Sequence, residues 1–130
     1  VFSGNEETLR VCEEHGLASI NRTPLGKGVL TGKFSHDSTI PDNDRRAGWD
    51  FGEGRLAKQI DQVERMRPAL TAGGRTRAQG ALSWLWARSP ATIPIPGFKN
   101  VKQVEENAGA LEHGPLGDEQ MRAIQDVLDE

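Results

Sequence analysis

The apolar positions of the chain fall into five helical stripes separated by two short extended runs. Leu9 and Cys12 stand three apart on one face of the first helix. Asn5 is placed to cap it, Glu6 and Glu7 sit in the first turn where acidic groups suit the helix dipole, and Gly16 is placed to end it after His15. Residues 17–20 read as a short strand, and 21–33, with Pro24, Gly26, Gly28 and Gly32, as loop chemistry. Residues 35–55 hold Pro41, Gly48, Gly52, Gly54 and the mixed-charge run Asp42-Asn43-Asp44-Arg45-Arg46, which predicts a long surface loop. Loops of that length inside a domain are usually functional or mobile.

Leu56, Ile60, Val63 and Met66 keep a helical period, after which Pro68, Gly73 and Gly74 punctuate the chain, Pro68 either ending or kinking the helix. The clearest helix covers 76–88, where Ala78, Ala81, Leu82 and Leu85 follow the i, i+3, i+4, i+7 pattern behind a capping Thr76. Gly80 costs about 1 kcal/mol there relative to Ala, unless close packing requires it. Residues 91–95 read as a second strand, in which Pro94 removes a ladder donor. Asn100 opens the next helix, with Gln103 three residues on as in a capping box and Val101, Val104, Ala108 and Leu111 on one face. Met121, Ile124, Val127 and Leu128 form the buried stripe of a last helix over 118–128.

Strand-then-helix alternation predicts an α/β fold with a parallel sheet. Two strands do not make a stable sheet, and several helices show an apolar face that nothing else here covers. The expectation is part of a larger fold. There is no internal repeat.

Composition narrows the function. The 130 residues carry 16 Lys and Arg against 19 Asp and Glu, a net charge of -3, without the basic excess of a nucleic-acid binder. No apolar run approaches the ~20 residues of a membrane span, and the first residues lack the basic and apolar regions of a signal peptide. The chain does not begin with Met, as a chain that starts mid-protein would not. The single Cys12 excludes an intrachain disulfide and a multi-cysteine metal site and suits a reducing, cytoplasmic compartment. There is no Tyr.

Two stretches carry candidate chemistry, each running on from the end of a strand. The polar, Gly-rich run 21–28 includes Lys27, with Lys33 beyond it. Small residues there let backbone N–H groups approach an anion, and the C-terminal ends of parallel strands are where such folds hold ligands. A plain turn with two surface lysines accounts for the pattern equally well. The second run, 96–107, ends in a helix N-terminus flanked by Lys99 and Lys102, a setting for phosphate. Gln103, Glu106 and Asn107 then share one face, able to read a nucleobase and ribose, although Asn100 and Gln103 also serve as caps and Glu106 as a solvated residue. Two such sites in one chain favour a phosphate-bearing cofactor.

The segments NRTPLGKGVLTGKF (21–34) and QGALSWLWARSPATIPIPGFKNVKQVEENAGAL (79–111) resemble the stretches that follow the seventh strand and span the eighth strand of aldo-keto reductases, in the same order and at the same separation. The resemblance implies the C-terminal portion of a (β/α)8 TIM barrel: its last two strands and their helices, incomplete as a standalone barrel, with 1–130 as one partial domain and 35–55 as a loop within it. It implies NADP(H) bound in extended form without a Rossmann motif. Arg22 takes the place of the side chain that packs on the nicotinamide face, often an aromatic. Thr23 replaces the usual Ser, and Thr23, Pro24, Leu25, Gly26 and Lys27 wrap the pyrophosphate. Lys33 approaches a phosphate, and Arg46 is the loop arginine that closes over the cofactor, with Arg45 the second choice. Gly97 and Lys99 line the adenosine phosphate, Lys99 reading the 2′-phosphate. Gln103, Glu106 and Asn107 hold the adenine end. Val1 and Phe2 fall just after the sixth strand.

A typical barrel of this kind has ~250 residues, so the chain holds about half of one. The family's Tyr, Lys, Asp and His belong to earlier strands, so no catalytic residue is expected here. His15, His36 and His113 read as surface histidines and Cys12 as a small buried residue. One of Trp84 and Trp86 belongs to the core. Trp49 and Phe51 either line a substrate pocket or anchor the loop. The expected parent protein reduces a small aldehyde or ketone with NADPH, this chain alone being inactive. The alternative is a non-catalytic NADPH-sensing subunit on the same fold, and a third reading is an independent nucleotide-binding or structural module. No nucleic acid or membrane partner is expected, and unpaired sheet edges invite association.

Overall fold

The computed structural model describes residues 6–130, so the expected Asn5 cap and the Val1-Phe2 tail lie outside the described residues. Helix α1 (Glu6–Glu14) stops where Gly16 adopts φ +64°. That left-handed turn lets the Leu17 N–H reach back to the Cys12 carbonyl at 2.7 Å. Leu17 is spent on this closure, and strand β1 runs over Ser19–Arg22, two residues later than the apolar run suggested. Helix α1 buries no residue and rests mainly on β1. Cys12 is therefore half-buried, not the core residue expected.

Strand β2 (Thr92–Ile95) pairs parallel with β1, Ser19 opposite Thr92 and Arg22 opposite Ile95. Each strand keeps an unpaired edge among the described residues, the setting that tolerates Pro94. The crossover is made by α2 (Gly54–Leu70) and α3 (Arg77–Arg88). Parallel pairing brings the chain out of both strands at the same end, so the segments after Arg22 and after Ile95 emerge side by side.

Helix α2 is longer than its stripe predicted: it begins at Gly54 and continues through Pro68, because Ala69 and Leu70 are buried beyond the proline. Thr76 and Gln79 form a full capping box at the start of α3, and Trp84 is buried while Trp86 is half-buried. A Cβ added to Gly80 would meet the Leu70 carbonyl oxygen at 2.0 Å, so close helix packing does require glycine there.

Two apolar clusters hold the helices. One joins Met66, Leu70, Trp84, Leu85, Leu116 and Ile124, with Met121, Val127 and Leu128 of α5 (Asp118–Leu128) against it. The other joins Val29, Leu30, Val63 and Ala81. Helix α4 (Val101–His113) departs from expectation. Its predicted stripe is exposed at Val101, Val104, Ala108 and Leu111, and its one buried residue is Ala110. The helix turns a different face to α3, where Gln79 Nε2 donates to the Glu106 carbonyl at 3.0 Å. Ile20, Ile93 and Ile95 of the sheet are exposed as well.

Candidate functional site

The chain leaves β1 at Arg22 and enters a tight, strained turn. Thr23 (φ 61°) and Lys27 (φ 55°) are the two non-glycine residues with positive φ among the described residues, a backbone state that costs ~1–3 kcal/mol and clusters at functional sites. The Gly26 N–H donates to the Thr23 carbonyl and the Gly28 N–H to the Leu25 carbonyl, both at 2.9 Å. Pro24 is buried beneath the turn, and Leu25 packs against the Val29 cluster. Arg22, Thr23 and Lys27 stay exposed.

Lys33 folds back over this turn. A Cβ on Gly28 would lie 2.5 Å from Lys33 Cε, so glycine makes room for the ammonium arm. The Lys33 pKa is lowered, first by burial and then by the positive fields of Arg46 and Lys99. Lys33 and Arg46 belong to the 33–53 loop and Lys99 to the β2–α4 connection.

Arg46 is half-buried and fixed. Its Nε and Nη2 donate to the two Asp44 carboxylate oxygens at 2.8 and 2.6 Å, and its Nη1 donates to the Lys27 carbonyl at 3.0 Å. The guanidinium holds the Asp44 carboxyl well below the usual carboxylate range. Arg45 beside it is exposed. Sequence reading missed Asp44 as the partner, although its two-residue spacing from Arg46 is a signal. The loop is also anchored: Phe51 is buried and stacks on Phe34 with ring centroids 4.8 Å apart. Trp49 lines an open cleft of about 610 Å³ with Thr23, Gly26, Lys27, Arg55 and Gln59.

At the other strand end, Gly97 and Lys99 are exposed ahead of α4. Asn100 Oδ1 accepts from the Gln103 N–H at 3.0 Å, while Gln103 Oε1 accepts from the Lys99 N–H at 2.7 Å. The cap therefore occupies the Gln103 oxygen and leaves its amide N–H₂ free to donate. Glu106 and Asn107 come next on the same side, both half-buried. Asn107 Nδ2 is buried without a hydrogen-bond partner. An orphaned donor of that kind is costly and calls for an acceptor.

The arrangement thus offers a cationic cradle at one end and a row of amide and carboxylate groups at the other. His36 is exposed, as expected of a surface histidine, but it also sits 2.8 Å from Asp61 and 2.9 Å from the Phe51 carbonyl; the 25-residue gap to Asp61 hid that pair. Among the described residues no group of His, Cys, Asp and Glu could hold a metal ion, and no helix is long and apolar enough to cross a membrane.

A sequence profile described as the aldo/keto reductase family matches residues 3–129. The chain is 33% identical over 122 residues to the NADP(+) aldo-keto reductase yakc of Schizosaccharomyces pombe, covering 93% of this chain and 36% of that protein. It is 36% identical over 123 residues to the chloroplastic pyridoxal reductase of Arabidopsis thaliana, covering 89% of this chain and 30% of that protein. Among solved structures, a glycerol dehydrogenase from Gluconobacter oxydans shares the fold with a TM-score of 0.79 at 22% identity, over 95% of this chain and 38% of that one. An aldo-keto reductase from Bacillus halodurans, in its apo form, superposes with a TM-score of 0.62 at 26% identity, over 94% of this chain and 38% of that one. The chain spans about a third of the length of these curated relatives.

Proposed function

The chain belongs to the aldo/keto reductase family, and from that premise we propose that it forms the C-terminal portion of a (β/α)8 barrel and carries much of the NADP(H) site of a protein that reduces aldehydes or ketones to alcohols. The observation that supports this reading best is the meeting of Lys33 and Arg46 at the strained turn after β1, with the charge of Lys99 acting on Lys33. Two loop cations and a third from the β2–α4 connection make a field suited to the phosphates of a dinucleotide. The orphaned Asn107 Nδ2 supplies the second point of fit, a donor waiting for an acceptor such as an adenine nitrogen.

In this reading each residue binds or orients. Arg22 lays its guanidinium on the nicotinamide face. Thr23, Pro24, Leu25, Gly26 and Lys27 wrap the pyrophosphate with backbone groups. Lys33 neutralises a phosphate, and Arg46 braces the loop across the turn. Gly97 lets the chain pass close to the adenosine phosphate, and Lys99 reads the 2′-phosphate and sets the preference for NADP. Gln103, Glu106 and Asn107 hold the adenine. Bound NADPH supplies the hydride. The chain contains no Tyr, so the general acid comes from a segment outside these residues. That segment also covers the exposed faces at Ile20, Ile93, Val101 and Leu111. A cytoplasmic setting goes with this reading, as does a small carbonyl substrate.

The experiment is aldehyde reduction by the intact protein, monitored as loss of NADPH absorbance. Turnover with NADPH is expected. An intact protein that binds NADPH yet turns over no carbonyl compound contradicts the reductase and favours NADPH sensing.

A further inference from the structure

His36 lies between two groups that can only accept hydrogen bonds. Its Nδ1 is 2.9 Å from the Phe51 carbonyl oxygen and its Nε2 is 2.8 Å from Asp61 Oδ1. A neutral imidazole has one N–H and one bare lone pair, so it can donate to one of these oxygens and must set the lone pair against the other. An imidazolium donates to both. The geometry is satisfied by the cation alone.

The ring also stands at a mechanical junction. His36 is at the start of the 33–53 loop, Phe51 at its far end, and Asp61 on α2. One side chain therefore fastens both ends of the loop to each other and to the helix. Between the fastened ends lie Arg46, bonded to the Lys27 carbonyl, and Trp49, which lines the open cleft.

We propose that His36 is a positioning residue that acts as an imidazolium: protonated, it latches the 33–53 loop against α2 and over the turn at Thr23 and Lys27, and on losing its proton it gives up one of its two bonds and loosens the loop, which the Phe34–Phe51 stack still anchors. The effect on NADPH rests on the cofactor reading above; the latch itself does not. The charged groups acting on the ring are Asp61 from α2 and Asp37 from its own loop, while the Phe51 segment presents a backbone carbonyl. The Asp61 bond, then the Phe51 carbonyl, raise the His36 pKa. A raised value means the latch is fully closed below the ordinary histidine pKa of about 6.5 and is lost as pH rises through the higher folded-state value.

The test is an NMR titration of the His36 ring in the intact protein, with amide-exchange protection read across residues 33–53. The expected midpoint lies above about 6.5. Loop protection should fall roughly threefold across that same midpoint, the size of one exposed ion pair. Asp61→Asn should move the midpoint down and carry the loss of protection with it. A midpoint at or below the ordinary value, or protection that ignores the midpoint, overturns the latch. NADPH affinity is measured against His36→Gln, which cancels the nucleotide's own titration. The wild type should bind more tightly than the variant at low pH and lose that advantage through the midpoint. A latch that titrates while the variant ratio stays flat overturns the positioning role. A latch that titrates in a protein that binds no NADPH at any pH supports the latch and overturns the cofactor reading.

Discussion

Arg46 donates through Nη1 to the carbonyl oxygen of Lys27, 19 residues before it, at 3.0 Å. Two further bonds commit the same guanidinium to Asp44. One side chain thus ties a loop with no helix or strand to the turn that carries the strained backbone. Removing it would strip the Asp44 carboxylate of its guanidinium, leaving the backbone bond from residue 46, and the uncompensated charge acting on Lys33 would compete with a phosphate. Arg46→Ala should therefore weaken NADPH binding about tenfold, ~1.4 kcal/mol, in a fluorescence titration. Arg46→Lys should recover little, because an ammonium cannot hold the two-point bond to Asp44. Equal affinity in all three proteins would contradict the brace.

The same pair fixes what pH can do. Arg46 depresses the Asp44 pKa, so the pair contributes above the ordinary carboxylate range and is lost only as pH falls through the depressed value. It is constant near neutrality. Loop protection that varies between weakly acidic and weakly basic pH is expected to follow His36, and Asp44→Asn should leave the midpoint of that variation in place.

Gly80→Ala tests the packing of α3 on α2. The added methyl group would meet backbone, not a flexible side chain, so the helices must separate. The expected loss is about 1–3 kcal/mol in urea unfolding of the intact protein, even though Ala is the better helix former. A gain in stability would show that the helices yield without strain.

Arg22 ends β1 and is exposed. If its guanidinium lies on the nicotinamide, its charge opposes the oxidised ring, which is cationic, more than the reduced one. Arg22→Gln should then lower the ratio of the NADP+ to the NADPH dissociation constant by roughly fivefold, about 1 kcal/mol, with the adenine end unaffected. An unchanged ratio places the guanidinium elsewhere.

Much of this was legible in the sequence because it is local. Thr76 with Gln79, and Asn100 with Gln103, announce helix starts through bonds spanning three residues. Helix α3 packs against both α2 and α4 and is buried without a break from Gly80 to Leu85, so its apolar positions are dense enough to read. The misreadings have tertiary causes. Leu17 looked like a strand residue, but its N–H closes α1. Val101 and Leu111 looked like core, yet α4 meets α3 through Ala110 and the Gln79–Glu106 bond. Pro68 left the end of α2 open, and burial of Ala69 and Leu70 decides it by carrying the helix past the proline. For the site, the resemblance nominated Lys33 and Arg46 separately; only the fold brings Lys33 over Gly28 and Arg46 onto the Lys27 carbonyl. The His36–Asp61 pair joins a loop to a helix 25 residues on, and no period or spacing signals such a contact.

If this chain holds NADP(H) with Lys99 reading the 2′-phosphate, titration of the intact protein with NADPH and with NADH, beside Lys99→Glu, should show it. NADPH should bind at least about tenfold more tightly than NADH. In Lys99→Glu the two should become nearly equal, through a loss for NADPH alone. A well-folded protein that binds neither nucleotide, or a preference for NADPH that survives Lys99→Glu, would contradict it.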